Sequence, residues 1–263
     1  MKPLLFTLLI WMSSLIVHGQ ILFSESFNVL LDTTQKVMGS ITPELKIQTQ
    51  KETLIEFNNM TDMVIRLKKN SLSIANKIEF NKFGSEVFLS GGYVYTKFRE
   101  NLDKHFTIEY FAQVHWAEAR GLAHRYSAGP TMRLKIIKKP NLGLFFGTGP
   151  IYEFEEWNYD AVQDEHLPAT LEPITTQHIK NATYVSFKHH IFSKVFIDLS
   201  LYHQAQYNQL FSTPRLASSS RVSYQLTKNL QALVMYQNIY DYNPVVPIDN
   251  WFHRILATIA ISF

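Results

Sequence analysis

Two glutamates with a spacing suited to catalysis, Glu153 and Glu155, stand directly before Glu156 and Trp157. On a β-strand these two carboxylates would share a face, about 7 Å apart. Such a pair suits a general acid and base, or a calcium site completed by nearby carboxylates. The nearby carboxylates are Asp160, Asp164 and Glu165. A solvated acidic rim beside aromatic residues explains the same pattern without chemistry, and we favour that interpretation.

Histidines and serines are the other candidates for chemistry. His189 and His190 are adjacent, so on a strand they point to opposite faces and cannot hold one metal ion together. His115 or His203 could pair with a serine across strands, as in a hydrolase acting on lipid or peptide. The serines concerned are Ser90, Ser127, Ser200 and Ser223. None lies in a nucleophile-elbow motif. We therefore predict no catalytic residue, metal or cofactor and keep the hydrolase as the alternative.

The segments that would position these residues have an apolar period of two. In residues 195–207, one face is apolar except for His203. Its members are Val195, Ile197, Leu199, Leu201, Ala205 and Tyr207. The same split recurs in residues 72–80 and 106–116. Because successive strand side chains point to opposite faces, each segment predicts a strand with one apolar and one mostly polar face.

The length of these runs separates a membrane barrel from a soluble sandwich. They span about 12 to 16 residues, against roughly 5 to 6 for globular strands, and a tilted strand needs about 9 to 11 to cross hydrocarbon. We predict an all-β fold, a single antiparallel up-and-down transmembrane β-barrel of about twelve strands. The strands should begin near Val37, Thr53, Asn70, Glu86, Lys104, Leu122, Leu142, Gln177, Val195, Arg215, Leu230 and Asn250. Both ends of such a barrel lie in the periplasm, with short turns there and longer loops outside, over 158–176, 208–214 and 241–250.

The N-terminus predicts export. Lys2 precedes an apolar run over residues 4–12, and small residues lead to Gly19. This order is typical of a secretory signal peptide, and the run is shorter than the roughly 20 residues that a spanning helix needs. We predict cleavage after Gly19, a short periplasmic segment over 20–36 and a barrel over 37–263.

The composition agrees with an exported barrel. The chain has no cysteine, so disulfides cannot support it, and its formal net charge of +3 gives no electrostatic case for nucleic acid. Hydrophobic residues make up 46% of the chain, yet no long apolar stretch follows the signal. Alternating strands account for that combination and membrane helices do not.

The last segment of the chain has the same apolar face and ends on an aromatic residue. The face includes Trp251, Ile255, Ile259, Ile261 and Phe263. A last strand that ends in Phe resembles the signal by which outer-membrane barrels are recognised for assembly. We therefore expect outer-membrane lipid and the barrel-assembly machinery as partners, and the bacterial outer membrane as the location.

Several short motifs also carry a family resemblance. They are Asp32–Thr34, Ser90–Tyr95, Ala119–Leu122, Gly147–Trp157, Thr227–Leu230 and Val245–Pro247. Together they resemble the domain-of-unknown-function 481 family of outer-membrane proteins, in the form found in Bacteroidetes. The resemblance spans nearly the whole mature chain. It implies a barrel in the outer membrane and supplies no catalytic residues.

The strand pattern also predicts which charged residues face the lumen. They are Glu56, Asp62, Arg66, Lys77, Glu79, Glu109, Arg125, Arg133, Lys135, Asp198, Arg221 and Arg254, with Glu44, Lys46, Glu153 and Lys188 beside them. Charges of both signs could cross-link into a plug or line a narrow, weakly selective pore. Gly143, Gly147 and Gly149 on the same face should leave space beside their strand.

Aromatic residues near the strand ends are expected to form interfacial girdles. They are Tyr93, Tyr95, Trp116, Tyr152, Trp157, Tyr240, Tyr242 and Trp251. The polar inner face, without a catalytic constellation, favours a non-enzymatic envelope protein. Such a protein would be either a narrow solute pore or a structural barrel.

Overall fold

Twelve long strands make up most of the computed structural model, which describes residues 36–49 and 52–263, the side chains of 88 and 89 apart. The strands are β1 (Val37–Thr49), β2 (Thr53–Leu67), β3 (Asn70–Phe83), β4 (Glu86–Asn101), β5 (Phe106–Ala117), β6 (Leu122–Lys139), β7 (Leu142–Trp157), β8 (Ile174–Phe192), β9 (Val195–Gln206), β10 (Arg215–Gln225), β11 (Leu230–Asp241) and β12 (Trp251–Ser262). Two 3₁₀ turns, Glu118–Arg120 and Asp164–His166, lie in loops. Across the described residues, no helix is long and apolar enough to cross a membrane.

The strands form one closed sheet. Each pairs antiparallel with its neighbours in sequence, and β1 pairs with β12. This confirms the predicted all-β, up-and-down barrel of twelve strands. The predicted signal peptide over 1–19, with its cleavage after Gly19, lies outside the described residues, as does the segment 20–35.

Most strands begin where the alternation predicts, and the exceptions have local causes. β5 begins at Phe106 rather than near Lys104, because Asp103 holds a turn there. Its Oδ1 accepts hydrogen bonds from the backbone N–H groups of Phe106 (2.7 Å) and His105 (2.6 Å). These bonds also hold the pKa of the Asp103 carboxyl below its usual range. β8 begins three residues early, since Ile174 already pairs with Trp157.

The two faces of the sheet have the reverse of the polarity found in a soluble protein. In β9, Asp198 and Ser200 are buried inside the barrel, whereas Leu199 and Leu201 are 41% and 61% exposed on the outside. The same holds for β12, where Ile255 is 71% exposed. Polar side chains fill the interior and aliphatic side chains cover the wall. Such a wall is stable against lipid and unfavourable in water.

Connections differ between the two ends of the barrel. At the end that carries Val37 and the C-terminus, which we name the terminal end, consecutive strands are joined by two to four residues, as at 68–69 and 140–141. At the opposite end, which we name the loop end, longer loops span 158–173, 207–214 and 242–250. Two connections at the loop end are nevertheless short, at residues 84–85 and 118–121. Gly84 and Gly121 adopt positive φ angles of 59° and 71° in them. The predicted asymmetry is therefore present in the connections that follow β7, β9 and β11.

The barrel closes through a short ladder between β1 and β12. Ser40 pairs with Ser262 and Ile41 with Ile261, and Gly39 exchanges two backbone hydrogen bonds with Phe263 at 3.0 and 3.1 Å. Backbone groups alternate in direction along a strand, so residue 43 also directs its backbone nitrogen towards β12. That residue is Pro43, which has no N–H to donate. Pairing stops before it, and the strand pair β1–β12 stays open beyond.

Engineered cysteine pairs test the extent of this ladder, because the chain has no cysteine of its own. Ser40 and Ser262 form a non-hydrogen-bonded pair, with Cα atoms expected about 4.5 Å apart, which suits a disulfide. We expect S40C/S262C to cross-link under mild oxidation, as seen by intact mass and non-reducing electrophoresis.

A matched pair further along the same register provides the control. Continued pairing would place Lys46 opposite Leu256, also at a non-hydrogen-bonded position. We expect K46C/L256C to remain reduced under conditions that oxidise S40C/S262C. Equal cross-linking of both pairs would show that the two strands pair along their whole length.

Candidate functional site: the charged lumen

Buried charge is concentrated inside the barrel, where inward-facing residues of neighbouring strands meet. Among the described residues, nine buried cationic side chains accompany six buried carboxylates. The cations are Lys97, Arg120, Arg125, Arg133, Lys135, Lys180, Lys188, Arg215 and Arg221. The carboxylates are Asp62, Glu109, Glu153, Glu155, Asp198 and Asp241. The interior therefore has an excess of positive charge.

Arg215 is the centre of an outer network near the loop end. Its Nη1 donates to Glu153 Oε1 at 2.6 Å and to Glu155 Oε1 at 2.8 Å. Its Nε donates to Asp241 Oδ2 at 2.5 Å. Arg215 begins β10 and the glutamates lie on β7, so these bonds cross the lumen rather than follow the sheet. The planar guanidinium suits this role, since its donors diverge in fixed directions.

The remaining members of the outer network lie on strands next to the glutamates. Arg125 Nε donates to Glu155 Oε1 at 2.5 Å, and Lys180 forms an ion pair with Glu153. Trp157 Nε1 approaches Glu155 Oε2 at 3.3 Å. We define the outer network as Arg125, Glu153, Glu155, Lys180, Arg215 and Asp241. It contains three cations and three carboxylates.

These contacts overturn the expectation of a solvated acidic rim. Glu153 and Glu155 share a face as predicted, but they are 2% and 1% exposed and are held by cations. The carboxylate oxygens of Glu153 and Glu155 are thereby engaged by arginine, lysine or neutral donors, and none is left for a calcium ion. Consistent with this, no group of three or more His, Cys, Asp or Glu side chains within the described residues could hold a metal ion.

A second set, the inner network, surrounds Glu109 in the middle of the lumen. Arg133 Nη1 and Arg99 Nε donate to its Oε1 at 3.0 and 2.7 Å, and the Tyr184 hydroxyl donates to its Oε2 at 2.7 Å. Lys97 Nζ lies 3.7 Å from the same carboxylate. Tyr184 comes from β8 and Glu109 from β5, so this set also crosses the lumen.

Glycines of β7 make room for the rings of the inner network. A Cβ at Gly147 would lie 2.3 Å from the Tyr184 ring, and one at Gly143 would lie 2.6 Å from Phe145. Arg133 stacks over Phe145, with its Cζ 4.0 Å from the ring centroid. The space predicted beside Gly143 and Gly147 is therefore present and filled by aromatic rings. At Gly149 the space is taken by the backbone of Pro130, whose carbonyl oxygen would lie 2.1 Å from a Cβ.

Two further ion-paired groups complete the lumen. Asp198 accepts from Lys188 at 2.7 Å and from Arg221 at 3.3 Å. Glu79 pairs with Lys77 on its own strand and with Arg254 of β12 at 2.7 Å. The Glu79–Arg254 bridge passes behind the open part of the β1–β12 pair and connects β3 with β12 through the lumen.

The other lumen candidates from the sequence lie nearer the two ends. Lys135 donates to Asn101 Oδ1 at 2.6 Å near the terminal end. Glu56 pairs with Lys46 at 2.9 Å at the loop end, where both are partly exposed. Asp62 is buried on β2, and Arg66 lies near the end of that strand.

Several lumenal residues lie outside the predicted set. They are Lys97, Arg99, Arg120, Lys180, Arg215, Asp241 and Tyr184. Alternation could have found some of them, because Lys180 has the parity of Lys188, and Arg215 that of Arg221. Their partners could not be found in this way, since each lies on a strand distant in sequence.

Three aromatic residues expected at the lipid interface point inward instead. Tyr95 and Trp157 are 2% and 1% exposed, and Tyr93 lies on the same inward face of β4 as Tyr95. Trp157 packs with Leu122 against Val162 and Val246, which belong to the loops after β7 and β11. Since β7 and β11 stand far apart around the barrel, these loops meet above the lumen and narrow its outer mouth.

The serines and histidines considered for a hydrolase do not assemble. Ser127 and Ser223 have hydroxyls without a hydrogen-bond partner, and Ser200 approaches Asp198 at 3.3 Å. His203 Nε2 lies 2.8 Å from the carbonyl oxygen of Leu210. The described residues therefore give no support to the hydrolase alternative.

Comparisons with known proteins give distant structural likenesses and no relative in sequence. No protein-family model matches the chain, and no curated protein matches it. The KdgM porin in complex with disordered oligogalacturonate has a TM-score of 0.47 at 10% identity, over 86% of this chain and 99% of that one. The NanC porin has a TM-score of 0.44 at 10% identity, over 86% and 96%. The Pseudomonas putida toluene transporter TodX has a TM-score of 0.35 at 9% identity, over 86% and 88%. We draw no functional conclusion from likenesses this distant.

The outer network predicts a large effect of one substitution. R215M removes the cation that three buried carboxylates share. Removing one partner of a buried ion pair typically lowers the free energy of unfolding by about 3–5 kcal/mol. We expect a marked fall in the urea concentration that unfolds the barrel in detergent micelles, measured by tryptophan fluorescence and by loss of the compact band on unboiled gels.

The control for this substitution is K46Q, which breaks the partly exposed Lys46–Glu56 pair. Pairs at the surface contribute roughly 0–1 kcal/mol, so K46Q should resemble the native protein. Equal stability of R215M and K46Q would contradict a structural role for the outer network.

Proposed function

We propose that the protein is a narrow, non-enzymatic pore of the bacterial outer membrane for small hydrophilic solutes. The observation that carries the proposal is a closed barrel with an aliphatic outer wall and an inner wall of buried charge. Contact with lipid does not require a charged interior in a membrane barrel, whereas a path for polar solutes requires a polar one.

The bore is proposed to be narrow because side chains cross it at several depths. Arg215 reaches from β10 to β7, Tyr184 from β8 to β5, and Arg254 from β12 to β3. Twelve strands also lie between the roughly eight-stranded barrels filled by side chains and the 16-stranded barrels that hold a water channel.

A plugged structural barrel is the second candidate, and the same cross-lumen ion pairs favour it. The two candidates differ in one property, which is conductance. Reconstituted protein that inserts into planar bilayers and passes no current at any voltage would overturn the pore and leave the structural barrel.

The excess of buried cations predicts the sign of ion selectivity. In a potassium chloride gradient, we expect the reversal potential of single channels to show a preference for chloride over potassium. K135Q removes a buried lumenal cation that is paired with an amide, Asn101, and therefore leaves no carboxylate without a partner. We expect it to weaken the chloride preference.

The matched control is K138Q, which removes an exposed lysine of β6 at the terminal end. It should leave the reversal potential nearly unchanged, more so at high salt, because exposed charges are screened. A native preference for potassium, or equal shifts in both variants, would contradict a lumen governed by its buried cations.

The location rests on the export signal predicted for residues 1–19 and on the last strand. Trp251, Ile255, Ile259, Ile261 and Phe263 lie on its lipid-facing side, which we propose the barrel-assembly machinery recognises. We propose that the mature chain begins near residue 20 and belongs to the domain-of-unknown-function 481 type.

The terminal aromatic is also tied to barrel closure. The Phe263 ring lies against Gly39, where a Cβ would be 2.6 Å from its Cζ, so the ring covers a glycine on the neighbouring strand. We expect F263A to lower the fraction of protein that runs as a heat-modifiable barrel in outer-membrane preparations. I259A, on the same lipid-facing side of β12, is the control and should assemble almost normally. Equal yields of the two variants would remove the special role of Phe263.

A further inference from the structure

A cavity of about 390 Å³ lies at the loop end of the barrel, beside the outer network. Its volume is within the range of about 300–1,000 Å³ that is usual for small-molecule sites. We name it the vestibule. It lies between the outer ends of β8, β9 and β10 and the loop after β11. Its polar lining outside the outer network consists of Thr176, His178, Gln204, Gln206, Gln209, Thr213 and Asn243.

The charges that border the vestibule are already satisfied by one another. Lys180 is paired with Glu153, and Arg215 binds Glu155 and Asp241 together. The network as a whole holds equal numbers of cations and carboxylates. A charged ligand would have to break these buried pairs before it gained a partner, and breaking a buried ion pair is costly. The groups left for recognition are amides, hydroxyls and the imidazole of His178.

Gln204 provides an independent indication of a ligand. Its Oε1 is buried and has no hydrogen-bond partner, although most buried polar atoms have one. Gln204 also borders a second, smaller cavity of about 50 Å³ further down the lumen. This single side chain therefore stands where the vestibule leads into the middle of the barrel.

The smaller cavity has a different lining, with several aromatic rings. Tyr95, Phe111, Tyr184 and Tyr202 border it, and the first two stack with ring centroids 6.0 Å apart. Amides and hydroxyls followed by aromatic faces suit one class of solute in particular. Sugar hydroxyls both donate and accept hydrogen bonds, as amides do, and the C–H faces of a sugar ring pack against apolar aromatic surface.

We propose that the vestibule is a binding site for a neutral, polyhydroxylated solute of mono- to disaccharide size. The proposal rests on the proposed function, since it names the class of solute that would enter the pore. Gln204 is the central positioning group, with its unsatisfied oxygen accepting from a sugar hydroxyl.

The test measures binding and transport separately on the full-length protein in lipid nanodiscs and planar bilayers. Maltose and glucose are the probes, and gluconate and sulfate are the charged comparison. We expect saturable heat of binding for maltose by isothermal titration calorimetry, and a maltose-dependent reduction of single-channel current. The anions should show neither effect at the same concentration.

Q204L removes the unpaired oxygen at nearly constant volume. Loss of one such hydrogen bond costs roughly 1.4 kcal/mol, so we expect about tenfold weaker maltose binding. Q231L, at a buried glutamine of β11 near the terminal end, is the matched control and should bind maltose like the native protein.

Each outcome assigns failure to one part of the account. Current without saccharide binding or block would overturn the vestibule site and leave the pore. Saccharide binding without current would overturn the pore and leave the site. Equal binding of gluconate and maltose, or unchanged maltose affinity in Q204L, would contradict recognition by neutral amide groups.

Discussion

Every backbone N–H and C=O group within lipid needs a partner inside the protein, and this constraint determines the architecture. A closed antiparallel barrel meets it along eleven of its strand pairs, which are joined over ten or more residues each. The β1–β12 pair meets it over a short stretch, because Pro43 cannot donate where the ladder would continue. The closure is consequently the weakest part of the sheet.

Closure also decides where charge can lie. Side chains alternate between lipid and lumen apart from the β-bulges in β3–β4, β5–β6, β6–β7 and β8–β9. Residues that are costly in lipid therefore collect inside and must find partners there. Six lumenal carboxylates are contacted by cations from other strands, namely Glu79, Glu109, Glu153, Glu155, Asp198 and Asp241. Arg215 alone joins β7, β10 and β11. The cations exceed the carboxylates, so the lumen remains positive even after pairing. The fold thus produces a polar path whose width is limited by the bonds that stabilise it.

The sequence allowed prediction of what alternation controls and little of what the lumen controls. Strand number, the facing of residues such as Asp198 and Leu201, and the side on which long loops lie follow from a period of two. The burial of Glu153 and Glu155 does not follow from it, because it depends on Arg215, which is about sixty positions away in the sequence. Only the closed barrel brings Arg215 of β10 to these residues of β7. The inward position of Tyr95 and Trp157 was missed for a related reason. Aromatic residues near strand ends are typical of a lipid interface, which favoured an outward position. The two-residue alternation along β4 and β7 places both residues inside, and it was the stronger signal.

The central claim, that polar residues line the inside and aliphatic residues face lipid, can be measured directly by a spin-label scan of β9. The chain has no cysteine, so single cysteines can be placed in turn at residues 196–204 without background. In nanodiscs, labels at odd positions such as Leu199 and Leu201 should be relaxed strongly by oxygen, which partitions into lipid. Labels at even positions such as Asp198 and Ser200 should be relaxed weakly by it. A two-residue alternation with that phase supports the account. The opposite phase, or no alternation, would contradict it.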